Sequence, residues 1–482
     1  MRLEADAPEL EPPSADRLHQ RRFAVARLRE PVARARELVA GLFAPVRRTR
    51  ITGPAVLGAA LAIVVTATYS LLRVGGAGAF NSIWAEDGAN FLSDAYMLPT
   101  KETIFRPLNG YFVVLPRLIA QVASVFPVAW GPAALSAGAA LFSAAMAVMV
   151  YVASGNVLVR PFLRAGCAFW IVAAPLAESS HAFGPNMVAP LQFVELYGLF
   201  WALMWTPVRY RARLVQVVFV VLCCMSTILV VLLVPLAMVR LWAVRTKWSM
   251  LLLSTVLAGS GFHALGLILG VASRGDISHP RTDPLWALGS YVGWALPFGV
   301  TGEKTMSDPG FTQLDVHSGG GGPWYWSGVI VTWLVVAVVI LAACRRLTSP
   351  QWLFAAVAAS ESMLLLCGQI MVQGRLELRY AYTPSLLAIT ALLALLRPLP
   401  VSRHGPRTAW LRVWFPAVAL TLLLAVSAAT NYRTWTNRTR AMPWRVQVEQ
   451  STLACRADPR MPFVLTYSVA DWFVQVPCRR VR

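Results

Sequence analysis

The sequence is short of charge, and of lysine and histidine in particular, and each shortage excludes something. Only 14% of the 482 residues are Asp, Glu, Lys or Arg, against about a quarter in an ordinary soluble domain. So few charges cannot clothe a water-exposed surface of usual composition. Six residues are histidine and seven are cysteine, and none stands in an HExxH or paired CxxC arrangement that would fix a metal. GxxxxGK[ST], GxGxxG after a strand and GxSxG are missing as well, which leaves no motif for a nucleotide or a hydrolase nucleophile. What is abundant is apolar: 57% of residues are hydrophobic, gathered into long runs with almost no charge inside. About 20 helical residues cross a hydrocarbon core about 30 Å thick, and no soluble core uses so many such runs. A soluble enzyme, a fibrous protein and a disordered chain are excluded; the fold class expected is an all-α polytopic membrane protein.

The formal charge is +20, and of the 43 basic residues only Lys101, Lys247 and Lys304 are lysine. Clustered arginine neutralises nucleic-acid phosphates, but most of these arginines sit in short loops beside apolar runs, where the positive-inside rule puts them. The partner they indicate is the lipid bilayer, not nucleic acid. Residues 1–50 carry eleven Arg against seven acids and have no apolar core of a secretory signal. They read as a cytoplasmic tail, with the stretch Arg17 to Arg36 either lying on anionic lipid or standing as a solvated basic helix.

A membrane domain is expected over 51–430. Its first span is 52–72, followed by a long first outer loop, 73–128. Within that loop 111–127 is apolar but carries Pro116, Arg117 and Gln121, and suits an interfacial helix better than a span. Spans follow at 129–152 and 187–206, with a shorter apolar run at 166–177. The run 215–239 lies between "RYRAR" (209–213) and "RLWAVRTK" (240–247). As one span it would put one basic flank outside and invert every later loop. A break at Met225, Ser226 and Thr227 into two half-helices keeps both flanks inside. Further spans at 249–271, 326–343, 351–373, 384–397 and 411–430 bring the count to about eleven. The amino terminus is then inside and a small tail, 431–482, outside. Loop 272–325, with "SGGGGP", reads as a mobile connection. Cys455 and Cys478 are the two cysteines in a polar region; the topology places them in the oxidising compartment, where a disulfide between them is predicted.

The polar candidates lie in the outer loops. Glu86 and Asp87, in "WAEDG", stand just beyond the first span. Two adjacent carboxylates at a low-dielectric boundary disfavour double ionisation, so one can serve as a base, or the pair can hold a cation. The bland alternative is a solvated turn opening a helix, since acids favour helix amino termini. A helix after Gly88 would put Asn90 and Asp94 on the face of Asp87. Lys101, Arg106 and Asn109 could hold a lipid phosphate or be ordinary loop residues. A second outer loop offers Glu178, His181 and Asn186. In a third, Arg375, Glu377, Arg379, Tyr380 and Tyr382 crowd one short turn between spans, which marks either a functional cavity or an internal Glu–Arg pair. Glu195 and Glu361 are the acids inside spans, where a proton-coupled transporter would place relays. No metal-ligand spacing appears.

One basic-flanked span followed by a long outer loop with "WAEDG" resembles the GT-C superfamily of integral-membrane glycosyltransferases. The later "RYAYTP", the short spans around "GPNMVAPLQF" and the tail ending in a cysteine pair are similar to its actinobacterial members. The resemblance covers about residues 51–482 as architecture. It implies transfer of a sugar from a polyprenyl-phosphate donor to an envelope glycan or glycolipid, at the outer face of a bacterial cytoplasmic membrane. Asp87 or Glu86 would be the general base, with Asp87 preferred because Gly88 allows close approach. Arg106, Arg375 and Arg379 would face the leaving phosphate, Asn109, Asn186, Tyr380 and His181 the substrates, and Glu178 or His181 a second role. Some members need a divalent cation such as magnesium or manganese and others none. A transporter or flippase for a lipid-linked saccharide, and a polysaccharide polymerase or ligase, are the alternatives.

Overall fold

The computed structural model describes residues 30–45, 52–175, 184–271, 280–302, 323–345, 347–397, 407–433, 437–467 and 472–481. Most of these are helical. Helix α1 (30–42) precedes α2 (Gly53–Leu72), which Thr52 caps by accepting the Ala55 N–H at 3.4 Å, with Pro54 in its first turn where no N–H is missed. Then come α3 (Val114–Ser124), α4 (Gly131–Ala153), α5 (Pro161–Ala173), α6 (Leu191–Met204), α7 (Tyr210–Cys224), α8 (Val234–Ala243) and α9 (Lys247–Ile268). After a three-piece segment comprising Pro284–Ser290, Tyr291–Ala295 and Leu296–Thr301 follow α10 (Pro323–Cys344), α11 (Trp352–Gln373), α12 (Tyr382–Leu395) and α13 (Arg407–Thr430).

Five described helices are long and apolar enough to cross a membrane: Gly53–Leu72, Val128–Asn156, Lys247–Ile268, Pro323–Cys344 and Trp352–Gln373. The chain is therefore mostly helical and membrane-like in character, although the expected all-α class omits a two-stranded sheet near its carboxy terminus. The other apolar helices are shorter, and burial explains how they can be. Every residue of α12 is buried, and every residue of α6 except Gln192. These two are about 21 Å long at 1.5 Å per residue and form the core, enclosed by other helices. By contrast α2 buries only Ala67 and Ser70. Its outward Val56, Leu57, Leu61 and Val65 are exposed, a surface that lipid solvates and water would not.

Residues 210–243 break where expected. Helix α7 stops at Cys224, a turn covers 225–227, a 3-10 stretch Ile228–Leu233 follows, and α8 completes the element. The chain reverses there. Gln216 near the start of α7 and Arg240 near the end of α8 both donate to the Trp205 carbonyl, at 2.9 Å each. The two basic flanks thus lie at the same end of the bundle. At the tip, Ser226 Oγ accepts from Leu115 N–H (3.1 Å) and Met225 O from Val114 N–H (3.4 Å), and His263 of α9 bridges Phe112 N–H to Cys224 O. Gly259 lets α9 approach this tip, since a Cβ there would lie 2.4 Å from Cys224 Cβ.

One expectation needs correction. The stretch 272–325, read as a connection, holds the helical segment 284–301, whose last part is buried. Two prolines and three glycines hid it, yet they let it pack. Gly299 sits against Ser385, and Gly293 beneath the Tyr325 hydroxyl. Both its ends lie at the first-loop end of the bundle: Arg281 N–H donates to Met371 O (2.8 Å), and Asn431 Nδ2 to Thr301 O (3.1 Å). The "SGGGGP" run itself lies outside the described residues.

The carboxy-terminal segment is a small folded unit. Helix α14 (Trp444–Ala457) packs on an antiparallel hairpin, β1 (Phe463–Tyr467) and β2 (Phe473–Pro477), paired Phe463 to Pro477 and Tyr467 to Phe473. A disulfide joins Cys455 to Cys478, with a Cα–Cα distance of 5.4 Å.

Candidate functional site

The two acids of "WAEDG" take opposite surroundings. Asp87 opens a π-helical turn, Asp87–Leu92, and is 4% exposed. Its two oxygens accept the backbone N–H groups of Val188 (3.0 Å) and Ala189 (2.8 Å), at the entrance to α6. Burial raises its pKa to about 6; the two amides and the Arg438 guanidinium act against that rise, and Glu86 adds to it. Glu86 is half-buried, and its charge acts on the Tyr111 hydroxyl. That hydroxyl bonds Gln192 and also senses Tyr380 and Arg379; burial pushes its pKa up, with Gln192 and Arg379 opposing.

Local sequence explains how Tyr111 arrives there. Asn109 (φ 49°) and Gly110 (φ 87°) are both left-handed, and Leu108 and Tyr111 form a bridge with bonds of 2.8 and 3.1 Å. Asn-Gly is the favoured pair for such a tight turn. Asn109 therefore shapes the loop that presents Tyr111. Arg379 and Tyr380 come from a 3-10 turn, Leu378–Ala381, that follows the left-handed cap Gly374 of α11. There Glu377 is bracketed by Arg375 (2.8 Å) and by Arg379, leaving one net positive charge on the turn. Tyr380 packs toward Phe193 of α6, with ring centroids 6.3 Å apart.

Other expected residues are placed differently. Arg106 is half exposed and pairs with Asp94 at 2.5 Å, and the buried Arg117 takes the other Asp94 oxygen at 2.8 Å. Asp94 thus faces arginines and not Asp87. Asn186 is buried: its Nδ2 donates to Ser70 O at 2.6 Å, and its Oδ1 accepts from Arg438 at 3.0 Å. Glu178 and His181 lie outside the described residues. Among the described residues no three of His, Cys, Asp and Glu come together to hold a metal ion.

Four residues of this region were not singled out from sequence: Tyr111, Gln192, Arg117 and Arg438. The Asn-Gly turn was the available signal for Tyr111. Arg438, one of nine arginines in 431–482, had none. Together the arrangement offers a half-exposed carboxylate, a phenol and an amide on one side, and an arginine-bearing turn on the other. Such a set can take a proton from a hydroxyl and hold an anion. Set against known protein families, curated proteins and solved structures, the chain matches none.

Proposed function

We propose that the chain is a membrane glycosyltransferase. It moves a hexosyl or pentosyl group from a polyprenyl-phosphate donor to an envelope glycan or glycolipid, on the outer face of a bacterial cytoplasmic membrane. Eleven crossings, counting α7 and α8 separately, put the amino terminus inside and both the first loop and the carboxy-terminal unit outside. The observation that supports the reading is Glu86, a half-buried acid whose charge reaches the Tyr111 hydroxyl, as that of Arg379 does. A sugar hydroxyl is a weak nucleophile, and a carboxylate that takes its proton in the transition state contributes typically 10²–10⁴-fold.

Between the two acids the roles divide. Glu86 is the general base, because Asp87 already gives both oxygens to backbone amides. As the acceptor oxygen bonds to the anomeric carbon, the bond to the lipid phosphate breaks, and Arg379 with Arg375 holds the charge that develops there. The test is transfer from a polyprenyl-phosphate sugar by the purified, reconstituted protein, together with glycan analysis of cells. Unchanged transfer in a folded Glu86→Gln variant sinks the reading.

A flippase or transporter for a lipid-linked saccharide is the second reading, and one observation favours it. Glu195 is fully buried in α6, with the Ser226 hydroxyl beside its carboxylate, and Glu361 is buried with one oxygen unpartnered among the described residues. Loss of transport in Glu195→Gln and Glu361→Gln, with first-loop variants normal, would favour it over transfer. A polysaccharide polymerase or ligase would also lose function at Glu86 but would extend its product with more than one unit.

A further inference from the structure

We propose that Arg438, supplied by the carboxy-terminal segment, is a positioning residue that aims Glu86 by locking the first outer loop against the second. The proposal rests on the transferase reading for its kinetic readout. Arg438 is 2% exposed and uses its whole fork inside the protein. Nε donates to Ser82 Oγ (3.1 Å), Nη1 to Asn186 Oδ1 (3.0 Å), and Nη2 to Ala79 O (3.2 Å), Ser82 O (3.1 Å) and Ser136 Oγ (2.8 Å). One guanidinium thereby ties the first loop to the second and to the start of α4. Lysine could not do this, because a single ammonium lacks the planar fork.

The same guanidinium favours the ionised form of Asp87, while burial lowers its own pKa to about 10 and Asp87 opposes that fall. Ionised Asp87 then holds the Val188 and Ala189 amides with separate oxygens. With residue 87 so anchored, the backbone fixes where the preceding side chain, Glu86, can point. A displacement near 1 Å at a reacting group can cost about 10²-fold in rate.

Independent packing places the segment. Gly76, at φ +60°, lies so close that a Cβ there would sit 2.0 Å from the Thr439 carbonyl oxygen, and a Cβ on Gly88 would sit 2.6 Å from Val474 of β2. Trp444 N–H donates to Asn81 O (2.8 Å), Arg445 N–H to Asn81 Oδ1 (3.0 Å), and Gln475 N–H to Ser93 Oγ (2.9 Å). The carboxy-terminal unit is thus built onto the loop that carries Glu86, on both sides of it.

The test is steady-state kinetics of the full-length protein in lipid, with folding checked by gel filtration and thermal unfolding. Arg438→Gln is expected to lower kcat at least about tenfold while leaving the acceptor KM nearly unchanged. The groups facing Asp87 are the Val188 and Ala189 amides, Arg438 and Glu86. Removing the cation raises the Asp87 pKa, so the acid limb of the pH–rate profile should move to higher pH. Arg438→Lys should return that limb toward wild type while recovering only part of kcat. Gly76→Ala should lower kcat with no change of charge. Folded variants with wild-type kcat and acid limb, or a loss confined to KM, overturn the proposal. So does failure of all three variants to fold, which would make the role structural alone. If the wild type transfers no sugar, the transferase reading fails instead. Carbodiimide labelling of Glu86, read by mass spectrometry, then still decides: altered labelling in Arg438→Gln supports the positioning role, and equal labelling refutes it.

Discussion

At the end of the bundle away from the first loop, arginine side chains meet helix carbonyls. Arg240 donates to Leu203 O, to Trp205 O (2.9 Å) and to Thr206 Oγ1 (3.1 Å), Arg164 to Tyr151 O (2.6 and 2.8 Å), and Arg213 to Pro207 O (2.9 Å). At the first-loop end some arginines meet carboxylates instead, Arg106 and Arg117 at Asp94 and Arg375 and Arg379 at Glu377, while Arg73 there still donates to the Val172 and Ala174 carbonyls. The first arrangement satisfies orphan carbonyls where helices stop and suits the negative end of the helix dipole. The second holds irregular loops in one geometry with acids close by. One residue type thus anchors helix ends and loops by their carbonyls and, at the first-loop end, also pairs with acids.

The largest effect should separate the two ends cleanly. Glu86→Gln is expected to reduce sugar transfer about 10²–10⁴-fold with thermal stability unchanged. Arg240→Met should leave transfer per folded molecule unchanged and cost roughly 1–3 kcal/mol of stability, because buried carbonyls lose their donor. Transfer rates and thermal unfolding on the same preparations check both. Next in size is the disulfide at the loop end. Replacing Cys455 and Cys478 by serine should lower the stability of the carboxy-terminal unit by about 2–4 kcal/mol, seen as earlier proteolysis within 444–478 while the helical core persists.

Asp87 supplies a smaller, pH-dependent effect. Its folded pKa of about 6 lies above the unfolded value near 3.9, so the folded state binds this proton more tightly. Its contribution is fully present below pH about 4, declines as pH rises to about 6, and is flat beyond. Asp87→Asn should remove that slope from melting temperatures recorded across this window; an unaltered slope would assign the titration to another group. The smallest effect on stability is expected at the Arg375–Glu377 pair, where Arg375 is 45% exposed. Arg375→Gln should change stability by less than about 1 kcal/mol.

Much of the helix plan was legible from the chain alone. The reversal at 225–227 followed from arginines on both flanks of one apolar run, and Ser226 sits at its tip. The segment 284–301 was not legible, because Pro284, Pro297 and its glycines imitate a connection, and only the neighbours Ser385 and Tyr325 reveal why small residues are there. Glu86 and Asp87 stood out as a pair, but their different surroundings did not. Asp87 is set by amides about a hundred residues away, at Val188 and Ala189, and by Arg438 farther still.

By itself the sequence determined where most of the long helices run, which runs are apolar enough to leave water, and where the run 215–239 must break. These follow from sums over neighbouring residues: transfer free energy along a run, charge at its flanks, and the steric habits of glycine, proline and asparagine. Tertiary structure alone decided which acid is pinned and which is open, which arginines are buried, and that the carboxy-terminal unit closes on the first loop. Ionisation and pairing depend on burial and on distances of a few ångströms, and residues far apart in sequence set both.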